Sequence, residues 1–406
     1  MGIVKQMWLE EMERGYGRPE GYICSNCVSD DWLKQWIEDE ASSNTCSFCD
    51  AKANNPIAAS FEAFLGQVMN GVRFYWNHPD DEGIMYVSAE GGYQASISDN
   101  SEVVWDLGVS ENEAVVEALV DAIDDNGWVA RDFYVGTEGD RLGDGWDRFT
   151  ELIKHHSRFF FLRPEPEDHD FGPDIKPHAM LDTIADVIVR KLGDYGLISS
   201  ITTDQRLIRV RLDAENEHAT ASTLGSPLAE FASRSNRMSP AGVPMFYGAF
   251  NIQAALAETF DPDISENPIV SAGTFKPVRD LRILDLANLP DIPSIYDEDR
   301  NYLVHALRFL HAFAQDISKP IERDGREHVE YVPTQIVTEY FRRVFEIEDQ
   351  RLDGIAYRSS RAVGENAFVL FCENEQCIDG EPTGEDTEML QLVAVEHFRM
   401  SAPDAP

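Results

Sequence analysis

Glu258 closes the run Ala254-Ala255-Leu256-Ala257-Glu258, four residues after Ala254 and seven after Asn251. On a helix those three positions share a face, and Asn251 can cap that helix by accepting from an early backbone N–H. The alanines leave the carboxylate little to hide behind, so a ligand could approach it closely. Two arginines stand upstream. Arg209 lies in the alternating run Arg-Val-Arg-Leu-Asp, so Arg209 and Arg211 point the same way from an extended strand. Arg237 sits in a turn with Pro240 and Gly242, where a planar guanidinium suits bidentate binding of phosphate oxygens. Tyr247 belongs to a short apolar strand over 243–249. Together these residues make an odd core and a reasonable pocket for a phosphate-bearing cation. The blander readings are a solvated glutamate, a surface arginine paired with one of many acids, and a core tyrosine with a satisfied hydroxyl.

A second kind of chemistry is written in the cysteines. Cys24-x2-Cys27 is followed, after 18 residues, by Cys46-x2-Cys49. Two thiolate pairs at this spacing close a tetrahedron around Zn²⁺. Such a site has no open position, so it reads as a folding staple, with a redox role for one pair as the weaker reading. Cys372 and Cys377 read as a buried thiol and a loop thiol, with a second metal site disfavoured. No Walker-type phosphate loop and no zinc-hydrolase helix motif occurs in the sequence.

The 406 residues allow two or three domains, and 43% hydrophobic residues exclude wholesale disorder. The formal net charge of −39 repels nucleic acid and anionic membrane. It also repels any anionic ligand, so a phosphate site needs local arginines to reverse the field. No run has the length of a signal-peptide core or a membrane span, which sets the expectation of a soluble, cytoplasmic protein.

The elements that position these groups follow from periodicity. The sequence predicts a short helix over 31–39 with Trp32 and Trp36 four apart. A second helix enters after Pro56 and carries Phe61, Phe64, Leu65, Val68, Met69 and Val72. A strand over 85–89 and helices over 111–123, ending at Asn126-Gly127, and 146–161 complete a small α+β module. The last of these carries three consecutive phenylalanines, read as part of an aromatic core. Proline and acid over 163–178 mark a boundary, a helix follows over 179–192, and the tail Ser-Ala-Pro-Asp-Ala-Pro reads as loose. Further on come strands over 269–275, 281–286, 354–359, 367–372 and 390–396. Between them lie a helix carrying Leu303, Ala306, Leu307, Leu310 and Phe313, and one opened by Val332-Pro333-Thr334-Gln335. The stripe Ile336, Val337, Tyr340, Phe341 and Val344 on that last helix reads as core.

The second half of the chain resembles the RES family. The resemblance is carried by Arg209 on a first strand, then Asn236-Arg237-Met238-Ser239-Pro240-Ala241-Gly242, then Tyr247, then Ala255 to Glu258. The late strand Gly354-Ile355-Ala356-Tyr357-Arg358-Ser359 completes it. The run Tyr331-Val332-Pro333-Thr334-Gln335 also looks like longer RES-containing proteins. Ile208 stands where an aromatic is common, and Ser360 beside Ser359 offers a second position for the family serine.

The resemblance implies an α+β fold related to ADP-ribosyltransferases and an activity on NAD⁺ that cleaves the nicotinamide–ribose bond, with water or phosphate as acceptor. It implies catalytic roles for Glu258, Arg237, Tyr247 and Ser359, and substrate binding by Arg209, Tyr357 and Ser360. It divides the chain into a four-cysteine zinc module at 1–55, an α+β domain at 56–165, a linker and helix at 166–200, and a RES domain at 201–400. NAD⁺, an antitoxin or regulatory protein and a second copy are the implied partners, in a toxin–antitoxin or defence setting in bacteria. The N-terminal half resembles a domain that precedes RES or HEPN effectors. HEPN ribonucleases use Arg-x4-6-His, and that spacing occurs at Arg148/His155, Arg163/His169, Arg300/His305 and Arg323/His328. Four scattered hits show how unspecific it is. Two further rivals are an ADP-ribosyltransferase acting on a macromolecule and a decayed, non-catalytic binding module.

Overall fold

The computed structural model describes residues 14–124, 127–162, 173–233, 235–259, 268–319, 326–362, 364–385 and 387–400, the side chain of Glu327 excepted. The start of the chain, the stop signal at Asn126, residues 163–172 of the boundary segment and the tail 401–406 lie outside the described residues. The chain folds as two compact units, Met1–Arg141 with Asp291–His305, and Leu142–Pro290 with Ala306–Pro406.

In the first unit, β1 (Tyr22–Cys24) pairs antiparallel with β2 (Ala58–Ser60). Helix α1 (Asp31–Asp39) starts where the Asp30 carboxylate accepts from Leu33 N at 3.0 Å, and it buries Leu33 and Ile37. Helix α2 (Phe61–Tyr75) buries the predicted apolar face from Phe61 to Val72. Asp99 caps α3 (Asn100–Leu107), a helix that periodicity did not announce, and it ends on Gly108 at φ +60°. Asn112 caps α4 (Glu113–Ala122). The predicted strand over 85–89 is reduced to the pair Tyr86–Val87.

Phe61, Phe64, Leu119 and Trp128 share one core with Tyr296. Tyr296 arrives in the segment Asp291–His305, which the sequence division keeps with the C-terminal half and which belongs to the first unit. Ser294 Oγ donates to the Asp30 carboxylate at 3.2 Å, and the Tyr296 hydroxyl donates to Leu107 O at 3.2 Å. No hydrophobic period announces such a graft, because the segment is too short to show one.

In the second unit, α5 (Glu138–Glu151), whose first residues belong to the first unit, begins before the predicted 146. Its three glycines and its charges mask the helical period. Gly145 has a packing reason, since a Cβ there would lie 2.9 Å from Ile175 Cβ. The helix does not reach 161. Phe159 and Phe160 are 83% exposed, so of the three phenylalanines only Phe161 joins a core. Helix α6 (Met180–Asp186) lies within the predicted 179–192.

The dominant element of this unit, among the described residues, is a nine-stranded mixed sheet. Its strands in chain order are β3 (Ile198–Ile201), β4 (Leu207–Asp213), β5 (Phe246–Ala249), β6 (Ile269–Pro277), β7 (Leu281–Asp285), β8 (Gly354–Arg358), β9 (Asn366–Leu370), β10 (Cys377–Asp379) and β11 (Leu390–Arg399). Their spatial order is β10-β11-β6-β4-β5-β9-β8-β7-β3. The β7–β8 and β10–β11 pairs are parallel and the others antiparallel. Strands β4 and β5 meet at the single pair Ile208↔Ala249, so the sheet is two strand groups joined at one point. Helix α7 (Ile252–Thr259) packs on it against β4, β5 and β9, and α8 (Val304–Ser318, starting in the first unit) and α9 (Val332–Arg343) follow in the chain. The α9 stripe is only partly core. Val337 and Phe341 are buried, Val344 is exposed, and the polar Thr334, Gln335, Thr338 and Arg342 are buried instead.

The close fit of Tyr296 is testable. A Cβ on Gly71 would lie 2.4 Å from its ring. Alanine in a helix interior ordinarily gains about 1 kcal/mol over glycine, whereas overpacking costs about 1–3 kcal/mol. Gly71→Ala is therefore expected to destabilise the first unit by about 1 kcal/mol net in thermal unfolding, and to stabilise it once Tyr296→Ala has made room. A stabilising Gly71→Ala in the native background contradicts this packing.

Candidate active site

The site is assembled from the ends of sheet strands and two loops. On β4, the register Arg209↔Gly273 and Arg211↔Ser271 fixes both arginines. The even residues Ile208, Val210 and Leu212 pack with Ala254 and Ala255 of α7. The odd residues face the other way, where Leu207 joins Phe246, Phe275, Cys372 and Cys377. The Arg209 guanidinium accordingly lies 5.0 Å from the Phe246 ring centroid and donates from Nη1 to Tyr247 O at 2.7 Å. Arg211 donates to Gly225 O at 3.2 Å. The Nε atoms of both arginines are buried and have no hydrogen-bond partner. Burial, then the Arg211 charge, works against charge on Arg209; an arginine nonetheless remains a cation at neutral pH.

Helix α7 carries the carboxylate. Asn251 caps it, its Oδ1 accepting from Ala254 N at 2.8 Å, while its amide donates to Glu365. Ala254, Ala255 and Ala257 are buried against the protein, so their small size seats the helix close to the sheet. This corrects the reading of the alanines as ligand-facing. Glu258, at the exit of the helix, is half-buried and accepts from Ser359 Oγ at 2.6 Å. The same Oγ accepts from Arg361 N at 3.2 Å and Ala362 N at 2.9 Å. With those two N–H groups donating, the serine proton is directed at the carboxylate.

Arg237 sits in the loop that leads into β5. Its Nη1 donates to Ser318 O at the end of α8, and its Nη2 donates to Ser360 Oγ at 3.3 Å. Ser359 and Ser360 thus divide the work, the first holding the acid and the second the guanidinium. Gly242 turns the chain at φ +87°, a left-handed value that favours glycine. The Tyr247 hydroxyl meets Ser239 Oγ at 2.9 Å. Burial pushes its ionisation up to about 12, against the pull of the Ser239 bond and of the Arg209 and Arg237 charges. Tyr357 is buried, and its ionisation is pushed well up by burial and then by the nearby Glu258 and Tyr247, with Arg237 acting oppositely. Tyr357 therefore sits within electrostatic reach of the acid, the second tyrosine and the guanidinium.

The structure brings Glu258, Ser359, Ser360, Arg237, Tyr247 and Tyr357 into one neighbourhood, with Arg209 joined through the Tyr247 carbonyl. Sequence reasoning missed Ser239 and Ser318, and it passed over Gln335, whose amide reaches the Arg237 loop. The Tyr-Val-Pro-Thr-Gln run was the available signal for Gln335.

In the first unit the sulfurs of Cys24, Cys27, Cys46 and Cys49 all lie within 4.8 Å of one another. The separations Cys24–Cys27 and Cys27–Cys46 are 3.8 Å, and Cys24–Cys49 is 3.5 Å. Metal–sulfur bonds of about 2.3 Å in a tetrahedron give edges of about 3.8 Å, so the cluster could hold a metal ion. Phe48 N and the Asn112 amide point at Cys46 Sγ and Cys27 Sγ, at 3.4 and 3.9 Å. Cys372 and Cys377 are both buried with their sulfurs 3.5 Å apart, which corrects the reading of Cys377 as a loop thiol. Of the Arg-x-His spacings, Arg148 pairs with Asp174 at 2.6 Å and Arg300 with Asp297 at 2.7 Å; Arg163, His169 and Arg323 lie outside the described residues. Among the described residues, no helix is long and apolar enough to cross a membrane.

Two family models match the chain, HEPN/RES N-terminal domain 1 over residues 39–167 and the RES domain over residues 206–392. Comparison with curated proteins and with solved structures returned no match. The RES match spans every strand and loop that supplies the cluster around Glu258, and RES domains are associated with enzymes acting on NAD⁺. The chain is a RES-domain protein with a HEPN/RES N-terminal domain ahead of the RES domain.

Proposed function

We propose that the protein degrades NAD⁺ by breaking the nicotinamide–ribose bond, with Glu258 stabilising the ribosyl cation. The observation that carries this reading is the Ser359–Ser360 clasp, in which adjacent residues hold a carboxylate and a guanidinium. As the C1′–N bond breaks, its electron pair leaves with neutral nicotinamide and the ribose becomes oxocarbenium-like. A fixed carboxylate stabilises that charge more than it stabilises the ground state. Water or phosphate then bonds to C1′, and a proton from water passes to solvent. The Ser359 hydrogen bond keeps the Glu258 carboxylate from swinging away. Arg237 grips the pyrophosphate, with Ser360 and Arg209 assisting in a chain that otherwise repels anions. Tyr247 and Tyr357, both held protonated, supply hydroxyls and ring faces for the nicotinamide riboside.

At family level the RES domain supports a toxin-like, NAD-related role. We extend it to a bacterial toxin or defence effector, restrained by a regulatory protein or by a second copy. The four cysteines of the first unit fit Zn²⁺ as a structural ion in this reading. It supplies folding stability there and no step of the reaction.

Purified protein incubated with NAD⁺ is expected to release nicotinamide, with phosphate in the buffer diverting product from ADP-ribose to its phosphorylated form if phosphate is the acceptor. Glu258→Gln should lower turnover by about 10²-fold or more with little change in melting temperature. Full activity in that variant refutes the role of Glu258, and label from NAD⁺ accumulating on protein would favour transfer to a macromolecule. For the metal, Cys27→Ser should lose bound zinc by elemental analysis and destabilise the first unit by several kcal/mol. Unchanged zinc stoichiometry removes the site.

A further inference from the structure

We propose that Gln335 is the positioning residue of the substrate-binding loop, acting through its side-chain amide on Arg237 and Tyr247. This inference rests on the NAD⁺ reading for its kinetic consequence but not for its geometry. Gln335 lies in the first turns of α9, is buried, and places Nε2 at 2.7 Å from Ser235 Oγ, 2.8 Å from Asn236 O and 3.3 Å from Ser239 O. An amide nitrogen carries two hydrogens, so three acceptors mean that one hydrogen is shared.

The acceptors bracket Arg237. Asn236 O belongs to the peptide bond that enters Arg237, and Ser239 O already receives Asn236 N at 2.8 Å. Ser239 in turn meets the Tyr247 hydroxyl through its own side chain. One buried amide therefore fixes the backbone on both sides of the arginine and, through Ser239, the direction of the tyrosine hydroxyl. Its own placement is rigid, because the Gln335 N–H donates to Tyr331 O at 2.9 Å and Val337 and Phe341 anchor the helix in a core.

The chemistry of the proposal is donation. Gln335→Met keeps length and volume and removes the donors. Gln335→Glu keeps the shape but turns an acceptor toward two carbonyls, and it regains a donor only when protonated. Burial among carbonyls favours the neutral acid and raises its pKa. The activity of that variant relative to the native protein should therefore rise as pH falls.

The test combines kinetics with hydrogen–deuterium exchange on the full chain. For Gln335→Met, the KM for NAD⁺ is expected to rise about tenfold with a smaller change in kcat, the signature of lost binding. Exchange should quicken within 235–243 and stay native elsewhere. Gln335→Glu should show the same defect at about pH 8 and partial recovery at about pH 5.5. Native KM and native loop exchange in both variants overturn the proposal. So does exchange quickened across the whole sheet, which is a folding role, or a Gln335→Glu defect that does not vary with pH. If the native protein leaves NAD⁺ intact, the function proposed above fails, and the exchange pattern still decides the role of Gln335.

Discussion

Two consecutive serines at the end of β8 impose the constraint on which the site depends. Ser359 donates to Glu258, and Ser360 receives Arg237. Each charged group is engaged by a neutral hydroxyl, and Arg237 uses a second nitrogen on the Ser318 carbonyl. Hydrogen bonds to charged groups are worth about 1.5–3 kcal/mol each. The clasp engages the carboxylate and the guanidinium through two separate hydroxyls. In the proposed reading, this cation and this anion serve one zwitterionic ligand.

The rest of the RES half supports that clasp. Small side chains on α7 let it lie close to β4, which delivers Glu258 to the strand end. The left-handed Gly242 and the amide of Gln335 close the arginine loop. Arg209 contributes from the other face of β4, where its charge sits over Phe246 and braces the Tyr247 peptide. With a chain charge of −39, the proposed pyrophosphate site depends on Arg237 and the β4 arginines for its local positive charge.

Much of this was legible in the sequence, and the failures are instructive. Helix α2 and seven of the nine sheet strands were anticipated, β3 and β10 being too short to show a period, and the Asn251 cap follows from side-chain chemistry. The Cys-x2-Cys spacing predicted four sulfurs that do converge. Glycine and charge concealed the start of α5, while three phenylalanines suggested core where two are solvated. The orientation of α7 was misjudged because alanine serves equally to expose a neighbour and to let a helix approach a sheet. Tyr296 and Gln335 act over long sequence separations, through a ring against Gly71 and an amide against a loop far earlier in the chain. No apolar periodicity encodes such contacts, and for Gln335 the Tyr-Val-Pro-Thr-Gln run was the one local signal.

In the proposed reading, Glu258 and Arg237 address one dinucleotide. The most direct measurement is a crystal structure of the Glu258→Gln protein soaked with NAD⁺. Ribose C1′ is expected beside residue 258 and the pyrophosphate on Arg237, within a single ligand. Density for NAD⁺ that touches only one of the two residues, or neither, would contradict the claim.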